Sequence, residues 1–334
     1  MARGSIAAVG FMLFSVTVVA DDLVFDGGAP SGTAWESPQN WSPDQSPGPD
    51  DNAFIGGNFT ALLSQTGQAV NVLYIGHDTQ PSPGPGTLVL NSGNFSSTTA
   101  RVGTSTNVVI RNPGTYQING GAWGVGPGGA VIGDSANGTF TMSGGSVQSV
   151  AGIDVGRPDA TGVVSMINGT FTVAAGGVKV GKGGAGTLNM SGGTFLVTDG
   201  VDVGAAMGGA GTFNMSGGTV GIAGGGLAVG SATGATGRAG IGSGTFNIDA
   251  GGVKVGKGGT GTFLMDGGIV NAVDGVDVGD SASGAGTFNF NGGTFNIPGG
   301  GIRVGNSGAG TFNISGGTFL VTDGVDVGAA MGGA

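Results

Sequence analysis

One phrase recurs along this chain at a nearly fixed interval, and no other feature constrains its fold as strongly. From about Ala61, a run of the form G-T-F-N-M-S-G-G-T-F is followed by a short variable stretch, then V-D-V-G and a glycine-rich link. Aligning the centre of the V-x-V-G element gives Tyr74, Arg101, Val131, Asp154, Lys179, Asp202, Ala228, Lys254, Asp277, Arg303 and Asp326. Neighbouring centres lie 23 to 30 residues apart, and the mean is about 25 (252 residues over ten intervals). A period of that length means one supersecondary unit per repeat, each burying its apolar face against the next. Some copies are recent duplicates: Ser191–Ala210 and Ser315–Ala334 are identical, and Ala175–Gly184 matches Ala250–Gly259.

Each unit holds three short strand-like runs, as in Thr187–Met190, Thr194–Val197 and Val201–Val203, separated by glycines such as Gly192, Gly193, Gly200 and Gly204. Glycine tolerates the positive φ of sharp corners. Three strands and three corners describe one turn of a parallel β-helix. The alternation predicts its interior, because side chains of a strand point to opposite faces in turn. In the first run, position two is Phe140, Val164, Leu188, Phe213, Phe246, Phe263, Phe288 and Phe312. Position four is Met142, Met166, Met190, Met215, Ile248, Met265, Phe290 and Ile314, and Thr and Asn take the outward positions between. In the third run the flanking Val or Ile face inward and the central residue faces out.

Composition agrees with this. The 334 residues include 80 glycines but only four lysines and one glutamate, so helix is disfavoured. With no cysteine, disulfides and thiolate metal sites are excluded, and the single histidine, His77, excludes a His-rich metal site. A formal net charge of −10 argues against nucleic acid as a partner.

The N-terminus has the pattern of a secretory signal peptide: Arg3, an apolar stretch from Ile6 to Val19, then small residues at Val18 and Ala20 ahead of a cut before Asp21. Residues 1–20 are therefore expected to be removed, leaving no membrane span in the mature chain. Residues 21–60 lack the repeat and hold Trp35, Trp41, Glu36 and a proline cluster, which suits an N-terminal cap. Residues 61–334 form the repeat domain.

Several motifs suggest chemistry. The outward centres from Asp154 to Asp326 nearly alternate acid and base, so the expectation is a self-neutralising charge ladder in preference to a cation-binding acidic row. The pairs Asp199/Asp202, Asp274/Asp277 and Asp323/Asp326 are weak calcium candidates. Aspartate before glycine is an ordinary corner residue, and calcium β-rolls use a much shorter repeat. Gly176–Gly183 and Gly251–Gly258 imitate a phosphate loop but have glycine after the lysine and run into a strand. The N-x-S/T triplets at Asn168, Asn189, Asn214 and Asn313 recur with the repeat, so they are weak evidence for glycans. Only Trp123, His77 and Asp78 stand outside the repeated positions, which leaves no set of catalytic residues for a lyase-type β-helix enzyme.

The phrases G-T-F-N-M-S-G-G-T (Gly211–Thr219) and V-D-V-G (Val201–Gly204) resemble the autotransporter-associated β-strand repeats of large bacterial secreted proteins. The leader, with Asn40-Trp41-Ser42, Pro47 and Asp50–Ile55, resembles the start of related PEP-CTERM envelope proteins. The resemblance implies an all-β, right-handed parallel β-helix of about eleven coils at the cell surface, with no catalytic residues and no cofactor. Because Met207–Ala210 runs straight into another coil whereas its duplicate ends the sequence, the chain is expected to be truncated at its C-terminus. The resulting expectation is a secreted or surface structural or adhesive protein. Its partners would be surface polysaccharide or other cells, and it would self-associate through an uncapped last coil. The alternatives are a carbohydrate- or ice-binding solenoid and a polysaccharide-degrading enzyme.

Overall fold

A computed structural model of the chain describes residues 21–30, 32–77, 84–103 and 113–328. Residues 1–20, where a signal segment is expected, Asp78 and the last six residues lie outside the described residues. The chain winds as a parallel β-solenoid, with one turn for each repeat. Its only helical element among the described residues is the short 3-10 turn Pro38–Asn40. One sheet stacks eleven first-run strands, from Phe59–Leu63 to Ala309–Ile314. A second sheet of 22 strands carries the second and third runs of every coil. In three early coils these two runs are one continuous bent strand: Gln68–Ile75, Asn94–Val102 and Ala122–Ile132.

The eleven V-x-V-G centres stack in one unbroken column. Tyr74 pairs with Arg101, Arg101 with Val131, Val131 with Asp154, and so on through Arg303 with Asp326. The leader extends this column, since Val24 pairs with Phe54 and Phe54 with Tyr74. Aromatic packing fills the coil interior beside it. Trp35 and Trp41 are fully buried and meet edge-to-face at 4.7 Å, and the Trp41 indole N–H donates to the Trp35 carbonyl at 2.8 Å.

Two glycines of the phrase are explained by one close approach. Gly181, ending V-K-V-G, has φ +71, and a Cβ there would lie 2.5 Å from the Ala210 carbonyl carbon. Gly186, opening the next first-run strand, would place a Cβ 2.2 Å from the Gly181 nitrogen. No larger residue fits where the link crosses between coils, so both positions are glycine.

The core is continuous, and it corrects one sequence expectation. Phe246 and Ile248 belong to the second-run ladder, where Phe246 pairs with Val220 and Val270. The first-run column at that coil is occupied by Ala239 and Ile241, in register with Phe213 and Met215. The motif G-T-F-N-I imitates a first run, but Phe246 lies eight residues before Lys254, the same interval that separates Val220 from Ala228. The Phe246 ring offsets the small Ala239, packing 5.7 Å from Phe213. Large residues on one strand opposite small ones on the next keep the volume of each layer constant.

Candidate functional site

The solenoid displays two contrasting surfaces. The first sheet runs through ten consecutive pairings without a register shift, so its outward positions form straight columns. One column reads Thr60, Thr87, Thr115, Thr139, Val163, Thr187, Thr212, Arg238, Thr262, Thr287 and Thr311. Neighbours in it are about 4.8 Å apart, the spacing of hydrogen-bonded strands. β-branched side chains are stiff at χ1, so these hydroxyls are held at repeated positions. None of the nine is engaged by a protein group among the described residues.

Beside the threonines runs a column of small exposed residues: Thr161, Ala185, Ala210, Thr236, Thr260, Ala285 and Ala309. On the other side lie Asn189, Asn214, Asn289 and Asn313. Their amides bond to one another along the axis, Asn214 to Asn189 at 3.0 Å and Asn313 to Asn289 at 2.8 Å. Arg238 is the one charged residue in these three columns.

The third-run face is charged instead, and two clusters of its charges are paired. Asp134 accepts from Arg101 and, at 2.9 Å, from Arg157. Arg157 also holds Asp154 at 2.8 Å, and Lys182 reaches the same carboxylate at 2.7 Å. A second cluster joins Lys254 to Asp280 (3.1 Å) and Asp277 (3.7 Å), and Arg303 holds Asp277 through both carboxylate oxygens at 2.5 and 2.8 Å. Burial opposes the charge of Arg157, but hydrogen bonds to Asp154 and Asp134 outweigh it and raise its pKa. Hydrogen bonding to Asp277 raises that of Arg303. The central residues point outward as expected, yet Asp154 and Asp277 are only 8% and 5% exposed because the cationic side chains fold over them.

The six calcium candidates have other engagements. Asp199, Asp274 and Asp323 accept the backbone N–H of Gly176, Gly251 and Gly300 in the preceding coil, at 2.6, 2.7 and 2.8 Å. Asp202 instead accepts from the Ser231 hydroxyl of the following coil at 2.8 Å, and Asp277 is held by Arg303 and Lys254. Asp326 pairs in register with Arg303 and adds to the field that raises the arginine's pKa. Thus Asp199 and Asp202 serve opposite neighbours along the axis. Among the described residues no group of three or more His, Asp or Glu side chains converges as a metal site.

The residues outside the repeat are also accounted for in part. Trp123 is buried, with its indole N–H on the Ser97 hydroxyl at 3.2 Å, and His77 is buried edge-on to Phe54 at 5.3 Å. Two surface hollows, of about 330 and 440 Å³, are lined by Ser96, Thr98 and Gln148 and by Asn189, Asn214 and Ser216, among others, with no titratable group. The phosphate-loop imitations run as strands, Val178–Lys182 and Val253–Val255. No helix among the described residues is long and apolar enough to cross a membrane.

Sequence reasoning found the charge column but missed the link residues that complete it. Asp134, Arg157, Lys182 and Asp280 each directly follow a V-x-V-G or equivalent corner, and that position was the available signal. The class defined by these observations is a regular parallel β-solenoid with one neutral and one self-neutralised face. No protein-family model, no curated protein and no solved structure matches this chain.

Proposed function

We propose that this chain is a secreted or cell-surface structural and adhesive rod without catalytic activity. The column of nine unengaged threonine hydroxyls on the first sheet carries this reading. Rigid, neutral, repeated hydroxyls suit a neutral, hydroxyl-rich partner such as surface polysaccharide, because both sides satisfy each other's hydrogen bonds with no charge to desolvate. The repeated charged groups support it from the other side, since they are spent on ladders between coils and not gathered in a cleft where reactive groups concentrate. The bacterial setting rests on the resemblance of the G-T-F-N-M-S-G-G-T and V-D-V-G phrases.

The test is a glycan array together with a cell-binding assay on the mature chain. Binding to neutral glycans or to cells is expected. Turnover of a polysaccharide substrate would overturn the non-catalytic reading. A second reading, adsorption to ice, is favoured by one feature of the same face: its outward columns contain no aromatic ring on which a sugar would stack. Retention of the chain in growing ice, with no glycan bound, would favour that reading.

A further inference from the structure

Four asparagines in the described residues precede a glycine: Asn119, Asn137, Asn168 and Asn291. Three of them are built into the ladders. Asn119 donates to Asn91 at 3.0 Å and accepts from Ser143 at 3.1 Å. Asn291 donates to Asp266 at 2.8 Å and accepts from Ser315 at 3.0 Å. Asn137 accepts the Thr161 N–H at 3.1 Å. Two of the following N–H groups are held as well: Gly120 bonds to Leu90 at 3.4 Å and Gly292 to Met265 at 3.3 Å. Gly138 opens the strand Gly138–Met142.

Asn168 differs because it is displaced by one place at the corner. Ile167 takes the position that Ser143 and Ser191 hold in adjacent coils, bonding its N–H to Met142 as Ser191 does to Met166. Asn168 therefore stands where those coils have Gly144 and Gly192, beyond reach of the Asn/Ser ladder. It is exposed, and its side-chain oxygen meets only the N–H of its own successor, Gly169, at 2.8 Å. That N–H makes no bond to a neighbouring coil among the described residues, and Gly169 has the positive φ of +95 that places it there.

We propose that Asn168 is a site of self-catalysed deamidation. The Gly169 nitrogen gives its proton to solvent base and attacks the Asn168 side-chain carbonyl carbon, forming a C–N bond. The bond to Nδ2 breaks, and ammonia leaves after taking a proton from water. The cyclic imide is then opened by one water molecule at either carbonyl, giving aspartate or isoaspartate. No group beyond water is required. In the other three Asn-Gly pairs the ladder holds the asparagine amide, and at Asn119 and Asn291 the attacking N–H as well, so ladder bonds must open before attack. The product adds a negative charge at an exposed corner, and the isoaspartyl form also adds a backbone carbon there.

Ageing of the folded full chain, followed by peptide mapping for acid and isoaspartyl products, tests this. Asn168 is expected to convert on the order of tenfold faster than Asn119, Asn137 and Asn291, the ratio given by a barrier difference of about 1.4 kcal/mol. In urea the four rates should converge, because the protection comes from the fold. Equal rates in the folded chain would overturn the proposal. So would an equal lead for Asn168 in urea, which would assign the preference to local sequence. Asn168→Gly, which restores the glycine of neighbouring coils, should remove the fast product while leaving the fold and the slow sites unchanged.

Discussion

The Asp199 carboxylate accepts the backbone N–H of Gly176, one coil earlier, at 2.6 Å. The same staple recurs from Asp274 to Gly251 and from Asp323 to Gly300. In each case a corner of the form Asp-Gly follows, one coil later, a corner of paired glycines that has a lysine or arginine at its V-x-V centre. At each of these three places the staple and the acid–base alternation therefore belong to the same pair of adjacent coils.

Asp199→Ala removes a charge-assisted bond at an exposed corner and should lower stability by about 1 kcal/mol in urea unfolding. Asp199→Asn, which keeps an acceptor, should recover part of it. A rise of many degrees in wild-type melting temperature with millimolar calcium would instead assign these aspartates to a cation.

Lys254→Glu places an acid against Asp277 and Asp280, whereas the Lys179 amine bonds only to the Gly176 carbonyl. The first substitution should therefore cost more than Lys179→Glu, by about 1 kcal/mol for each like-charge contact. Added salt should recover part of the loss. Equal costs, or no salt effect, would remove the ladder's role in stability.

Much of this was legible in the sequence. The V-x-V-G centres alone set the column of the third face from Tyr74 to Asp326, because strand pairing in a solenoid repeats whatever register the corners impose, whereas its extension through Phe54 and Val24 carried no such motif. The position of Phe246 was not legible from its motif, since first and second runs share the pattern T-F-x-I and only the distance to the next centre separates them. The Arg101–Asp134–Arg157 network was missed for a different reason. Its members reach across a corner, and strand alternation says nothing about side chains beyond the strand.

Tyr116 is buried, and its hydroxyl has no partner among the described residues. Burial pushes its pKa well above the ordinary value, so the folded state keeps the proton where the unfolded chain gives it up. Its contribution to stability is complete below about pH 10 and declines as pH rises beyond that. Tyr116→Phe should raise stability at neutral pH by about 1 kcal/mol and reduce the alkaline loss, as measured by urea unfolding at a series of pH values.

The most direct test of the central claim, that the first-sheet face makes the contacts, is adsorption to neutral polysaccharide by two triple variants. Thr139→Lys/Thr187→Lys/Thr287→Lys alters that face, and Gln148→Lys/Leu196→Lys/Leu320→Lys adds the same charge to outward positions of the second-run face. The first should lose binding while keeping the wild-type circular dichroism, and the second should bind as the wild type does. Equal loss in both, or loss confined to the second, would contradict the account.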